Sequence, residues 1–164
     1  MIQPNSGIEL TTQFGSPPPA FSVISTQYGR LYGAINNRVH YSEALQPGLF
    51  MPNNYLPFNK KVRLIVAVKS ALYVVTDKTY RIGNMDGEGF PAITEVLPLG
   101  GCGAVAYDPA QTMAVWMSDK GYIVATEENV QLLAYDRIAV EKYTKGAITI
   151  FEEDGLKKIV GTFR

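Results

Sequence analysis

Gly29-Arg30-Leu31-Tyr32-Gly33-Ala34-Ile35-Asn36-Asn37-Arg38-Val39-His40-Tyr41 is the stretch on which the reading of the fold turns. Two short runs of apolar, branched and aromatic residues flank an asparagine pair. Asparagine tolerates positive φ, so the pair suits a two-residue turn and the runs suit antiparallel strands. The same grammar recurs downstream. Residues 62–68 and 72–76 flank Lys69-Ser70-Ala71, and the second run continues through Asp77-Lys78 into residues 79–82. Residues 112–117 and 122–126 are joined by Ser118-Asp119-Lys120-Gly121, and residues 147–151 and 156–160 flank Asp154-Gly155. Helical spacing competes only over residues 127–137, where the repeat described next favours a strand at Val130–Leu133.

Aligned on Leu31, Leu72 and Tyr122, three segments share one pattern: two large apolar residues, a small or branched pair, a polar turn, then a short strand. A looser fourth copy begins at Ala147, so successive copies start about 41, 50 and 25 residues apart. Spacings of roughly 40 to 50 residues are those of four-stranded propeller blades. One small sheet cannot hide both its faces, and stacking similar sheets around an axis covers each face with the next. The expectation is an all-β domain over residues 21–164, built of antiparallel hairpins in about three to four propeller-like blades. That number is near or below the four of a small closed ring, so an incomplete ring, or one completed by another chain, is expected. Open sheet edges are stable only when paired, which points to assembly.

Residues 1–20 read differently. They are polar and irregular and end in Ser16-Pro17-Pro18-Pro19, an extended segment without donors for a ladder. An arm of this kind can lie on a neighbouring subunit. The interface candidates are accordingly Phe14, Pro17, Pro18, Pro19 and Phe21, with Tyr28 and Tyr55.

Composition narrows function by exclusion. The chain has 164 residues, 15 Lys plus Arg against 15 Asp plus Glu, and only 18% charged residues. A nucleic-acid binder would show a basic excess, and a disordered chain high charge with few aromatics. Low charge at zero net charge favours self-association. No apolar run is long enough to predict a membrane span, and Met1-Ile2-Gln3-Pro4-Asn5 does not read as the start of a secretory signal.

With the strands in place, a resemblance becomes usable. Residues 29–44 resemble a segment recurring in virion-associated proteins of tailed bacteriophages, in which a Gly-Arg-Leu-aromatic-x-Ala strand turns at Asn and returns as Val-aromatic-aromatic-Ser-Glu. Residues 72–77, 114–121 and 130–133 are similar to that family's later blades, and order and spacing agree from about Pro17 to Arg164. The motifs are structural, and no catalytic signature is among them. The resemblance implies a non-enzymatic, propeller-like component of the virion, in the tail or at the head–tail junction, assembled in the bacterial host cytoplasm. Its partners would be other virion proteins and copies of itself.

Other chemistry is weighed against that. Asn84, Asp86 and Glu88 alternate around Gly87 like the start of a calcium loop, but the distal bidentate Glu is missing, and an ordinary glycine-rich loop is the simpler reading. No cofactor is expected. Cys102 and His40 are the only Cys and His, which rules out an internal disulfide or a Cys/His zinc site and makes a thiol–imidazole pair a remote reading. Glu127-Glu128 and Glu152-Glu153-Asp154 could supply the two carboxylates of a glycoside hydrolase, yet they fall where hairpin tips carry solvated charge. Ten tyrosines, seven phenylalanines and Trp116 suggest a second reading, a glycan- or receptor-binding adhesin module with Tyr28, Tyr32, Tyr41 or Tyr55 facing the sugar. Trp116 itself reads as core.

Overall fold

The computed structural model describes residues 20–85, 91–133 and 146–163. Among these residues every regular element is a β-strand. Sheet one holds β1 (Val23–Gln27), β2 (Arg30–Ile35), β3 (Arg38–Tyr41) and β4 (Tyr55–Pro57). Sheet two holds β5 (Leu64–Val68), β6 (Ala71–Val75), β7 (Thr79–Gly83) and β8 (Ala92–Leu97). Sheet three holds β9 (Val105–Tyr107), β10 (Met113–Ser118), β11 (Gly121–Thr126) and β12 (Val130–Leu133). Sheet four is the hairpin of β13 (Gly146–Glu153) and β14 (Leu156–Phe163). Each strand pairs antiparallel with its neighbour in the chain, so all four sheets are simple meanders.

The first strands of the four sheets begin at residues 23, 64, 105 and 146, a constant step of 41. The structure therefore corrects the sequence alignment. Leu31 and Leu72 do hold equivalent places in the second strands β2 and β6, but Tyr122 lies in a third strand and Ala147 in a first strand. The counterpart of β2 and β6 in sheet three is β10. The uneven steps of 50 and 25 came from sliding by one strand, because neighbouring strands of one meander have the same composition.

Turns are tighter than the sequence suggests. Lys69-Ser70 alone joins β5 to β6, and Asp119-Lys120 alone joins β10 to β11. Positive φ values at Tyr28 (51°) with Gly29 (66°), at Asn36 (52°), at Lys69 (47°), and at Asp154 (53°) with Gly155 (74°) are what short hairpin turns demand. The Asn36-Asn37 turn stands where the sequence placed it.

The sheets stack face to face in chain order. Val23, Ala34, Val39, Leu56 and Tyr32 of sheet one meet Ile65, Leu72, Val74 and Ile82 of sheet two. The opposite face of sheet two, with Leu64, Val66, Tyr73 and Val75, meets Ala114, Trp116, Ile123 and Ala125 of sheet three. The other face of sheet three, with Ala106, Val115 and Val124, meets Ile148, Ile150 and Ile159 of sheet four. Sheet two is buried on both sides, which is why β5 and β6 read as near-continuous apolar runs rather than alternating ones. Among the described residues no strand of sheet one packs closely on a strand of sheet four, so the described stack is open at both ends.

The Ser42-Glu43 pair that closes the quoted motif is a fastener. Ser42 is buried; its hydroxyl accepts from the Leu31 amide at 2.9 Å and its carbonyl accepts from Arg30 at 2.8 Å. Glu43 accepts from the Asn54 side-chain amide at 2.7 Å, holding the long β3–β4 connection against the sheet.

Candidate interaction surface

Pleat alternation sends Ile24, Gly33, His40 and Tyr55, one cross-strand row of sheet one, away from sheet two. Gly33 is needed in that row because Phe21 lies across it: a Cβ there would fall 2.3 Å from the Phe21 ring. Phe21 packs 5.5 Å from Phe50 and 6.5 Å from His40, and His40 sits 5.9 Å from Tyr55. The Arg38 guanidinium lies 4.7 Å above the Tyr55 ring. Burial among these rings, then the nearby Arg38 charge, push the His40 imidazole below its ordinary value, which favours its neutral form. The result is an aromatic plate with Arg38 over one of its rings and Ile24, 63% exposed, at its edge.

The far end of the stack is its counterpart. In sheet four Ile148, Ile150 and Ile159 point at sheet three, so Thr149, Phe151, Val160 and Leu156 point outward. Phe151 is 41% exposed, Val160 49% and Leu156 66%. Lys158 and Glu153 form an ion pair on the same face. On this face Phe151, Val160 and Leu156 alternate with Thr149 and the Lys158–Glu153 pair, which makes it a candidate contact surface.

Of the interface candidates read from sequence, Phe21 and Tyr55 are thus brought onto one face. Tyr28 is placed elsewhere: its hydroxyl donates to the Ser70 carbonyl on sheet two, beside Gln27, whose side-chain amide donates to the Lys69 carbonyl. The chain continues this clasp to sheet three, where Glu127 accepts from Ser70 and pairs with Lys69 at 3.3 Å. The Ser70 hydrogen bond, then Lys69, hold the Glu127 carboxyl below its usual range. Tyr28 thus ties two sheets together. Tyr28→Phe is expected to lower stability by about 0.5–1 kcal/mol, the net worth of one such bond, read as a shift in the urea midpoint.

Phe14, Pro17, Pro18, Pro19, Asp86 and Glu88 lie outside the described residues; Asn84 is exposed just after β7 with φ 58°. No protein-family model matches the chain, and no curated protein matches it in sequence. The geometry therefore stands on its own. Cys102 is buried in the β8–β9 connection, its amide bonded to the Met117 carbonyl at 2.9 Å. A cleft of about 370 Å³ beside it is lined by Ser22, Val23, Lys61, Val62, Arg63 and Gly103, without His40. The two acidic clusters fall on different sheets, Glu127 held by Ser70 and Lys69 and Glu153 by Lys158. Among the described residues no three His, Cys, Asp or Glu side chains converge. Phe50, Arg38 and the outward side chains of sheet four carry no mark of a contact role in the sequence, which offers His40 only as a remote partner for Cys102. Their direction follows from strand register, which a single sequence does not print.

Proposed function

We propose that this chain is a non-enzymatic structural module of a phage virion, its four sheets serving as propeller-like blades and the two end faces that no other described sheet covers as contacts with neighbouring subunits. The observation that carries the blade reading is the constant 41-residue step between sheets that cover one another face to face. It matches the repeat length and stacking logic of blades, where each sheet lacks a core of its own. Support for the particle comes from the resemblance of residues 29–44, whose Ser42-Glu43 pair has a clear holding role in this fold. A rigid stack of meanders with apolar end faces suits a building block that acts by burying surface, with no chemical step.

The test is immunoelectron microscopy of particles from the culture that encodes the chain. Label is expected at the tail or the head–tail junction. Intact and disrupted particles that both stay unlabelled overturn the assignment.

A second reading, an adhesin module, is favoured by one observation: the plate of Phe21, His40, Phe50 and Tyr55 offers ring faces of the kind that stack on sugars. Glycan binding that Tyr55→Ala weakens would move the function to that class.

A further inference from the structure

We infer that a second copy of this chain covers both end faces, the fourth sheet of each copy seating on the first sheet of the other to close a ring of eight sheets. The inference rests on the blade reading above and is independent of the assignment to a particle. Three junctions inside the chain have the same sense, the leading face of one sheet receiving the trailing face of the next. The leading face of sheet four and the trailing face of sheet one are the two halves of one more such junction. Among the described residues no strand of sheet one packs closely on a strand of sheet four, so each of these faces is left for a neighbour. Copies contribute four sheets each, and two copies give eight, at the upper end of the four to eight blades that rings commonly hold.

The chemistry of the two faces agrees. One offers Ile24 beside the Phe21–His40–Tyr55 plate, the other Phe151, Val160 and Leu156. The charges on these faces are held in place: Arg38 sits over the Tyr55 ring and Lys158 is paired with Glu153. The contact joins two unlike surfaces, a heterologous interface that forms a closed ring if its rotation closes and a filament if it does not.

Unlike surfaces give a decisive test. Light scattering and native mass spectrometry of the 164-residue chain should report twice the 18.0 kDa mass. Ile24→Glu on the first face and Val160→Glu on the fourth should each weaken dimerisation at least about tenfold, since each sets a charge inside the contact. Both positions are exposed in the single chain, so circular dichroism should show each variant folded; Leu156→Glu gives a second probe of the fourth face. Mixed in equal amounts, the two variants should recover a heterodimer, because the intact fourth face of one meets the intact first face of the other. A monomeric wild type, a ladder of open polymers, variants that stay dimeric, or a mixture that stays monomeric would each overturn the ring. A monomeric chain found in labelled particles would overturn the ring alone, and a dimer absent from particles the virion assignment alone.

Discussion

Trp116→Ala should cost about 3–5 kcal/mol of unfolding free energy, a large part of the 5–15 kcal/mol typical of a domain. Trp116 is fully buried at the junction of sheets two and three, the largest side chain in the core. Its surroundings have little room to collapse into the space it leaves. The β8–β9 connection runs directly over the indole, and a Cβ on Gly101 would come 2.6 Å from the ring. Next to it, a Cβ on Gly100 would lie 2.3 Å from the Thr76 carbonyl oxygen, so that backbone is already in close contact with sheet two. Trp116→Phe should cost clearly less than the alanine change. It leaves a smaller cavity, and it removes an indole N–H that is buried with no hydrogen-bond partner among the described residues. Urea unfolding followed by far-UV circular dichroism checks both, since Trp116 is the only tryptophan and its fluorescence is lost with it. A cost below about 1 kcal/mol for the alanine variant would mean that the second junction is not where the stack draws its stability.

The hairpins were legible because their chemistry is local. Valine, isoleucine and tyrosine runs broken by Asn36-Asn37 or Asp154-Gly155 name strand and turn together. The strands missed in the sequence were β1, β4, β8 and β9, each at the edge of its sheet. β4 is three residues ending in Pro57, and β9 is three residues between a glycine-rich run and Asp108-Pro109, too short for alternation to register. β8 has five of its six residues exposed, so no apolar face marks it. Edge strands without a local mark hide the even step of 41, and interior strands of like composition align in its place. The surface was legible in part for the same reason. Phe21 and Tyr55 could be suspected as aromatics near turns, whereas Ile148 and Phe151 are indistinguishable until the pairing shows which of them faces sheet three.

Sheet four rests on few apolar side chains, and Asp108 supplies a polar hold whose pH dependence can be worked out. The carboxylate follows β9, is 2% exposed, and accepts hydrogen bonds from the Thr112 hydroxyl at 2.7 Å, the Met113 amide at 2.8 Å and the Lys157 ammonium of β14 at 2.9 Å. Burial alone would raise its pKa. The bonds from Thr112 and Lys157, with the backbone amides of Met113 and Thr112, outweigh that and hold it at about 2, below an ordinary 3.8. A carboxyl that is more acidic folded than unfolded adds stability that is fully present above pH 4 and fades as pH falls toward 2. That lowering corresponds to about 2–3 kcal/mol at neutral pH. Asp108→Asn should therefore be less stable than wild type at pH 7 and lose much less between pH 4 and pH 2, so that the two stability curves converge in acid. Asp108→Ala should cost about 2–4 kcal/mol, since it also strands the Met113 amide and breaks the β9–β10 connection. Lys157→Met isolates the link between sheets: because the lysine is half exposed, it should cost about 1 kcal/mol or less. Urea midpoints taken at intervals from pH 7 to pH 2 decide the matter. Parallel curves for wild type and Asp108→Asn would show that another group carries the acid sensitivity.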